Sequence, residues 1–89
     1  MIRVRVIAAG TVQGVFYRDS CRREAVARQV GGWVRNLADG NVEAVFEGTP
    51  EPVAAMVEWA RQGPPAATVT GLDVYEETPE GVSGFEVRA

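Results

Sequence analysis

Apolar and polar residues alternate from the first positions of the chain. Ile2, Val4, Val6 and Ala8 share one side of residues 2–9, with Arg3 and Arg5 on the other. That period of two predicts a half-buried strand. Gly10 to Val15 breaks the alternation and reads as a loop. The period then lengthens. A helix is predicted from about Tyr17 to Val30, with Cys21, Ala25, Val26 and Val30 facing the core and Arg22, Arg23, Glu24 and Arg28 facing solvent. Gly31-Gly32 is expected to end it through a left-handed exit.

Residues 33–38 and 41–48 flank Asp39-Gly40, a strong hairpin signal between two β-rich runs. Thr49-Pro50-Glu51-Pro52 announces a second helix, because proline suits a first turn whose N–H groups lack partners anyway. Val53, Met56, Val57 and Ala60 form its core-facing stripe, and Gly63-Pro64-Pro65 ends it. A strand is predicted around 68–76 and a turn at 78–81. A last short strand follows at 82–88, with Phe85 and Val87 on one face. The order β-α-β-β-α-β plus a terminal strand predicts an α+β, ferredoxin-like split-βαβ sandwich. Its expected form is an antiparallel sheet with two helices on one face, in one domain spanning 1–89. Many unrelated functions use that fold, so it assigns none by itself.

Composition narrows the chemistry. All nine basic residues are arginine, histidine and lysine are absent, and the net charge is −3. The usual acid–base group at neutral pH is therefore missing, as are a phosphate-loop lysine and a Schiff base. A net acidic domain is a poor general binder of nucleic acid. The lone Cys21 allows no internal disulfide, which fits a reducing compartment. No apolar run reaches the ~20 residues of a membrane span, and the start lacks a signal-peptide pattern. A cytoplasmic monomer without membrane or nucleic-acid partners is expected. Dispersed carboxylates and a single cysteine also argue against a transition-metal site.

The segment from Gly10 to Arg18 holds the most chemistry. Backbone N–H groups in such a turn can converge on an anion, and a helix start adds unpaired donors. Arg18 sits at the mouth of that helix with a fork of donors suited to phosphate.

The run Val12-Gln13-Gly14-Val15-Phe16-Tyr17-Arg18 resembles the acylphosphatase signature, and Gly32-Trp33-Val34-Arg35-Asn36 resembles that family's second motif. Asp39-Gly40, Val42-Glu43 and Gly63-Pro64 with Ala67 and Val69 extend the similarity from about Arg3 to Val87. Thr11 and Asn41 depart from the common pattern at positions not expected to do chemistry. The resemblance implies hydrolysis of small acyl phosphates without a metal, a cofactor or a covalent enzyme intermediate. It implies that Arg18 grips the phosphoryl group and that Asn36 orients the attacking water. It also implies a phosphate-binding loop comprising Gly10, Gln13, Gly14, Val15, Phe16 and Tyr17.

Plainer roles are expected for the other residues. Cys21 lies on the apolar helix side and lacks the arginine spacing of a cysteine phosphatase, since position 27 is alanine. Trp33, Phe46, Trp59 and Phe85 read as core. Asp19 complements the helix start. Two further classes are an acylphosphatase-like module of a larger chain and a ferredoxin-like RNA binder. The acids of Asn41–Glu47 argue against the latter.

Overall fold

A computed structural model describes all 89 residues. Its elements are β1 (Ile2–Thr11), α1 (Tyr17–Ala27), β2 (Gly31–Asn36), β3 (Val42–Gly48), α2 (Pro50–Gln62), β4 (Thr68–Glu77) and β5 (Phe85–Arg88). The strands form a five-stranded sheet in the order β4-β1-β3-β2-β5. This is the expected ferredoxin-like arrangement with a strand added at one edge.

Alternation decides which face is buried. Val4, Val6 and Ala8 pair with Phe46, Ala44 and Val42 across β1 and β3. These residues join Tyr17, Cys21 and Ala25 of α1 and Val53, Met56 and Ala60 of α2 in one buried apolar cluster. Phe85 enters the same core and stacks on Phe46 at 6.0 Å between ring centroids. The opposite face carries charge. Arg3 bonds Glu47 and Glu77, Arg5 bonds Glu43 and Glu77, and Arg35 bonds Glu43. No helix is long and apolar enough to cross a membrane.

Three local expectations are corrected. First, α1 ends at Ala27, not Val30. Gln29 turns the chain with φ 58°, and the N–H groups of Gln29 and Val30 donate to the carbonyls of Val26 and Ala25. This double closure normally uses glycine. It leaves Val26 exposed rather than in the core. Gly31 and Gly32 open β2 instead. A Cβ at Gly32 would lie 1.8 Å from the Val45 carbonyl oxygen.

Second, the sheet is mixed, because β5 runs parallel to β2. β4 finishes beside the start of β1, where Glu77 pairs with Arg3. The connector through residues 78–84 crosses at that same end to the far edge, so β5 must set out in the direction of β2. Glu47 fastens the crossing. Its carboxylate accepts the N–H groups of Glu80, Gly81 and Val82 at 3.0, 2.7 and 2.9 Å. The last strand therefore begins at Phe85 rather than at residue 82.

Third, Trp33 lies on the charged face and not in the core. The Arg35 and Arg88 guanidinium groups sit 5.3 and 4.8 Å from its ring centroid. Trp59 is half-buried against Tyr17, with ring centroids 5.2 Å apart.

Candidate active site

The ends of β1, β2 and β5 meet the start of α1 at the pole of the sheet opposite the connector. A cavity of about 400 Å³ opens there, lined by Val12, Gly14, Phe16, Tyr17, Arg18, Asp19, Asn36 and Val87. Its size falls within the ~300–1,000 Å³ usual for small-molecule sites.

The loop from β1 to α1 is built to present donors. None of the backbone N–H groups from Gln13 to Phe16 donates to a protein acceptor. The first helical N–H groups are unpaired by the nature of a helix start, and the first closing bond runs from Ser20 to the Phe16 carbonyl. Gly14 (φ 74°) and Phe16 (φ 64°) adopt left-handed conformations that bend the chain into this shape. Nothing crowds a Cβ at Gly14, so glycine serves the dihedral angle there and not the space.

Arg18 is the one cation of the cavity wall. Its Nη1 donates to the Arg88 carbonyl at 3.3 Å, a long bond that leaves most of the fork uncommitted. Asp19, also on the wall, is held by Arg23 at 2.7 Å, and that bond keeps its carboxyl below the usual range. Asn36 ends β2 with its Oδ1 buried and without a hydrogen-bond partner. An unmet buried acceptor costs about 1–3 kcal/mol and calls for an explanation, such as a water or ligand.

Of the residues expected from the sequence, Arg18, Asn36, Gly14, Phe16 and Tyr17 meet in this cavity. Gly10, Gln13 and Val15 do not line it. Gly10 belongs to β1, at the bulge where the register against β4 shifts. A Cβ there would sit 2.2 Å from the Thr68 carbonyl oxygen, so strand packing accounts for this glycine. The Gln13 side chain turns away and donates to the carbonyls of Leu37 and Asn41 at 2.8 and 2.9 Å. It staples the loop to the hairpin that carries Asn36. Val15 packs on the core cluster. Tyr17 is buried, and its hydroxyl donates to the Ala60 carbonyl at 2.8 Å, tying α1 to α2. Burial pushes this phenol well above its usual pKa.

Comparison with known proteins agrees with the motifs. The family model for acylphosphatase matches residues 4–87. The chain is 54% identical over 86 residues to an acylphosphatase of Gloeobacter violaceus, covering 97% of this chain and 92% of that one. It is 55% identical over 86 residues to one of Thermococcus kodakarensis, covering 97% and 94%. The chain belongs to the acylphosphatase family. The crystal structure of acylphosphatase from Bacillus subtilis superposes with a TM-score of 0.96 at 37% identity, over 100% of both chains.

Within this acylphosphatase fold, Cys21 is fully buried, and burial pushes its thiol far above the usual range. It does not line the cavity. No three His, Cys, Asp or Glu side chains cluster as metal ligands would. The sequence reading missed Val12, Asp19 and Val87 as wall residues. Asp19 had a signal in its place beside Arg18. Val87 had none, because its position depends on the connector between β4 and β5.

Proposed function

We infer that this chain hydrolyses the carboxyl–phosphate bond of small acyl phosphates, with Arg18 and the loop N–H groups holding the phosphoryl group and Asn36 guiding the water. One observation carries the assignment of roles. A single arginine, Gly14 and Phe16 of a loop whose N–H groups are unpaired, and a carboxamide with an unmet acceptor line one cavity.

The chemistry follows from those groups. Phosphoryl transfer depends mainly on positioning and on stabilising charge over the phosphoryl oxygens. The Arg18 fork and the N–H groups from Gln13 to Phe16 bind those oxygens in a fixed geometry. The Asn36 carboxamide holds a water in line with the scissile bond without the repulsion that a carboxylate would bring. The water oxygen bonds to phosphorus as the bond from phosphorus to the acyl oxygen breaks. The electron pair leaves on the carboxylate, a good leaving group that needs no acid. The water proton passes to a phosphoryl oxygen, which accounts for turnover in a chain without histidine. Neither a metal nor a covalent enzyme intermediate enters this scheme.

On the same reading, residues 1–89 act as one catalytic unit. We place it in the cytoplasm as a monomer, acting on small molecules rather than on nucleic acid or membrane. Support for this comes from the net charge of −3, the unpaired Cys21 and the ion-paired outer sheet face.

Phosphate release from acetyl and benzoyl phosphate tests the proposal. Arg18→Ala should lower the rate about 10²–10³-fold, and Arg18→Lys should recover only part of it. Wild-type turnover and phosphate binding retained in Arg18→Ala would refute the assignment.

A further inference from the structure

Phe16 is the least economical residue of the cavity. It is 76% exposed, the most exposed large apolar residue of the chain. Its backbone holds φ 64°, a left-handed conformation that strains a bulky L-residue and suits a glycine. A loop shaped only to cradle an oxyanion would be served better by glycine or asparagine there. Strain and exposure combined at a site wall are reasons to look for a function.

The cavity lining is also partly apolar. Val87 at the end of β5 is 42% exposed and lines it, together with Phe16, Val12 and Tyr17. Arg18, the loop N–H groups and Asn36 account for a phosphoryl group and a water. They leave the apolar wall without a ligand atom. What is joined to the phosphoryl group in an acyl phosphate is the acyl group, and a cavity of about 400 Å³ has room for more than a phosphate ion. An exposed ring and a half-exposed valine on one cavity wall suit a flat, uncharged acyl group, since aromatic pairs gain from stacking beyond the area they bury.

We propose that Phe16, backed by Val87, is the platform for the acyl group and makes the site selective for flat, apolar acyl phosphates. The proposal rests on the reading that Arg18 and the loop hold the phosphoryl group.

The test is the ratio of kcat/KM for benzoyl phosphate over acetyl phosphate, measured beside the inhibition constant of inorganic phosphate. Phe16→Ala should lower the benzoyl-to-acetyl ratio about tenfold, whatever common change both substrates share through the loop. The phosphate inhibition constant reports separately any change that the substitution makes in the loop. Phe16→Gly, which suits the φ angle, should shift the ratio equally and so separates loss of the ring from any misfolding of the alanine variant. Val87→Ser should shift it in the same direction by less. An unchanged ratio in both Phe16 variants overturns the proposal, as does an equal loss on both substrates with weaker phosphate inhibition. Failure of the underlying reading looks different, because Arg18→Ala would then keep its turnover of both substrates and its inhibition by phosphate.

Discussion

Glu47→Gln tests the connector that delivers β5 to the candidate site. The wild-type side chain is fully buried and bonds Arg3, itself only 7% exposed, at 3.2 Å. Its carboxyl is held down to about 2 from an ordinary 4.5. The N–H of Glu80 contributes most, then that of Val82, the Arg3 guanidinium and the N–H of Gly81, all against the opposing effect of burial. That depression corresponds to roughly 3 kcal/mol at neutral pH. An 89-residue chain has about 4–13 kcal/mol of stability in all. Losing roughly 3 kcal/mol should lower Tm by about 12–24 °C. The sign with pH is fixed. The folded pKa lies below the unfolded one, so the stabilisation is complete above about 4.5 and vanishes as pH falls toward 2. Urea unfolding followed by circular dichroism at pH 7, 4.5, 3 and 2 reads this directly. The two proteins should differ most at pH 7 and converge near pH 2. Glu77→Gln, at a half-exposed partner, should cost less. Equal stability of Glu47→Gln and wild type at pH 7, or a gap that persists unchanged to pH 2, would refute the argument.

Other outcomes follow from the site. Asn36→Ala should lower kcat about 10²-fold while KM stays within a few-fold, if phosphate grip lies with Arg18 and the loop as proposed; steady-state kinetics would expose the reverse pattern. Between pH 5 and 8 the rate should inflect with the phosphate pKa of each substrate and not with an enzyme group, as profiles with two acyl phosphates would show. Cys21→Ala should cost about 1 kcal/mol in denaturant melts and leave turnover within twofold. Gly10→Ala should destabilise by about 1–3 kcal/mol, since φ +121° and the Thr68 carbonyl oppose a Cβ, while the folded fraction keeps its phosphate affinity.

The parts of the fold that depend on local pattern were legible in the sequence. The stripe Val53-Met56-Ala60 is buried as its spacing demands, and Asp39-Gly40 joins β2 to β3. The motifs singled out Arg18 and Asn36 as candidates, and the fold brings them to one cavity. The misses share a cause in tertiary context. Gln29 takes a left-handed exit usually given to glycine, so α1 closes before Gly31. The parallel pairing of β5 is imposed by where the connector crosses, which no local periodicity encodes. Gly10 looked like a cradle glycine because loop and bulge glycines are alike in one dimension. Gln13 stood inside the motif, yet its amide bonds carbonyls at Leu37 and Asn41, distant in sequence.

The unpaired N–H groups from Gln13 to Phe16 also bear on how the protein melts and how its product leaves. Folding leaves these donors unmet, and an oxyanion meets them only when the loop is formed. If the loop holds phosphate as proposed, inorganic phosphate binds the native state and not the unfolded chain, and mass action should raise the melting temperature. At a hundredfold excess over Kd the gain is about 2.7 kcal/mol. On the same proposal the product would compete with the substrate. A loop held open for catalysis thus couples thermal resistance to product inhibition. Variants that tighten one should tighten the other, so a melting curve in phosphate ranks loop variants before any substrate is hydrolysed.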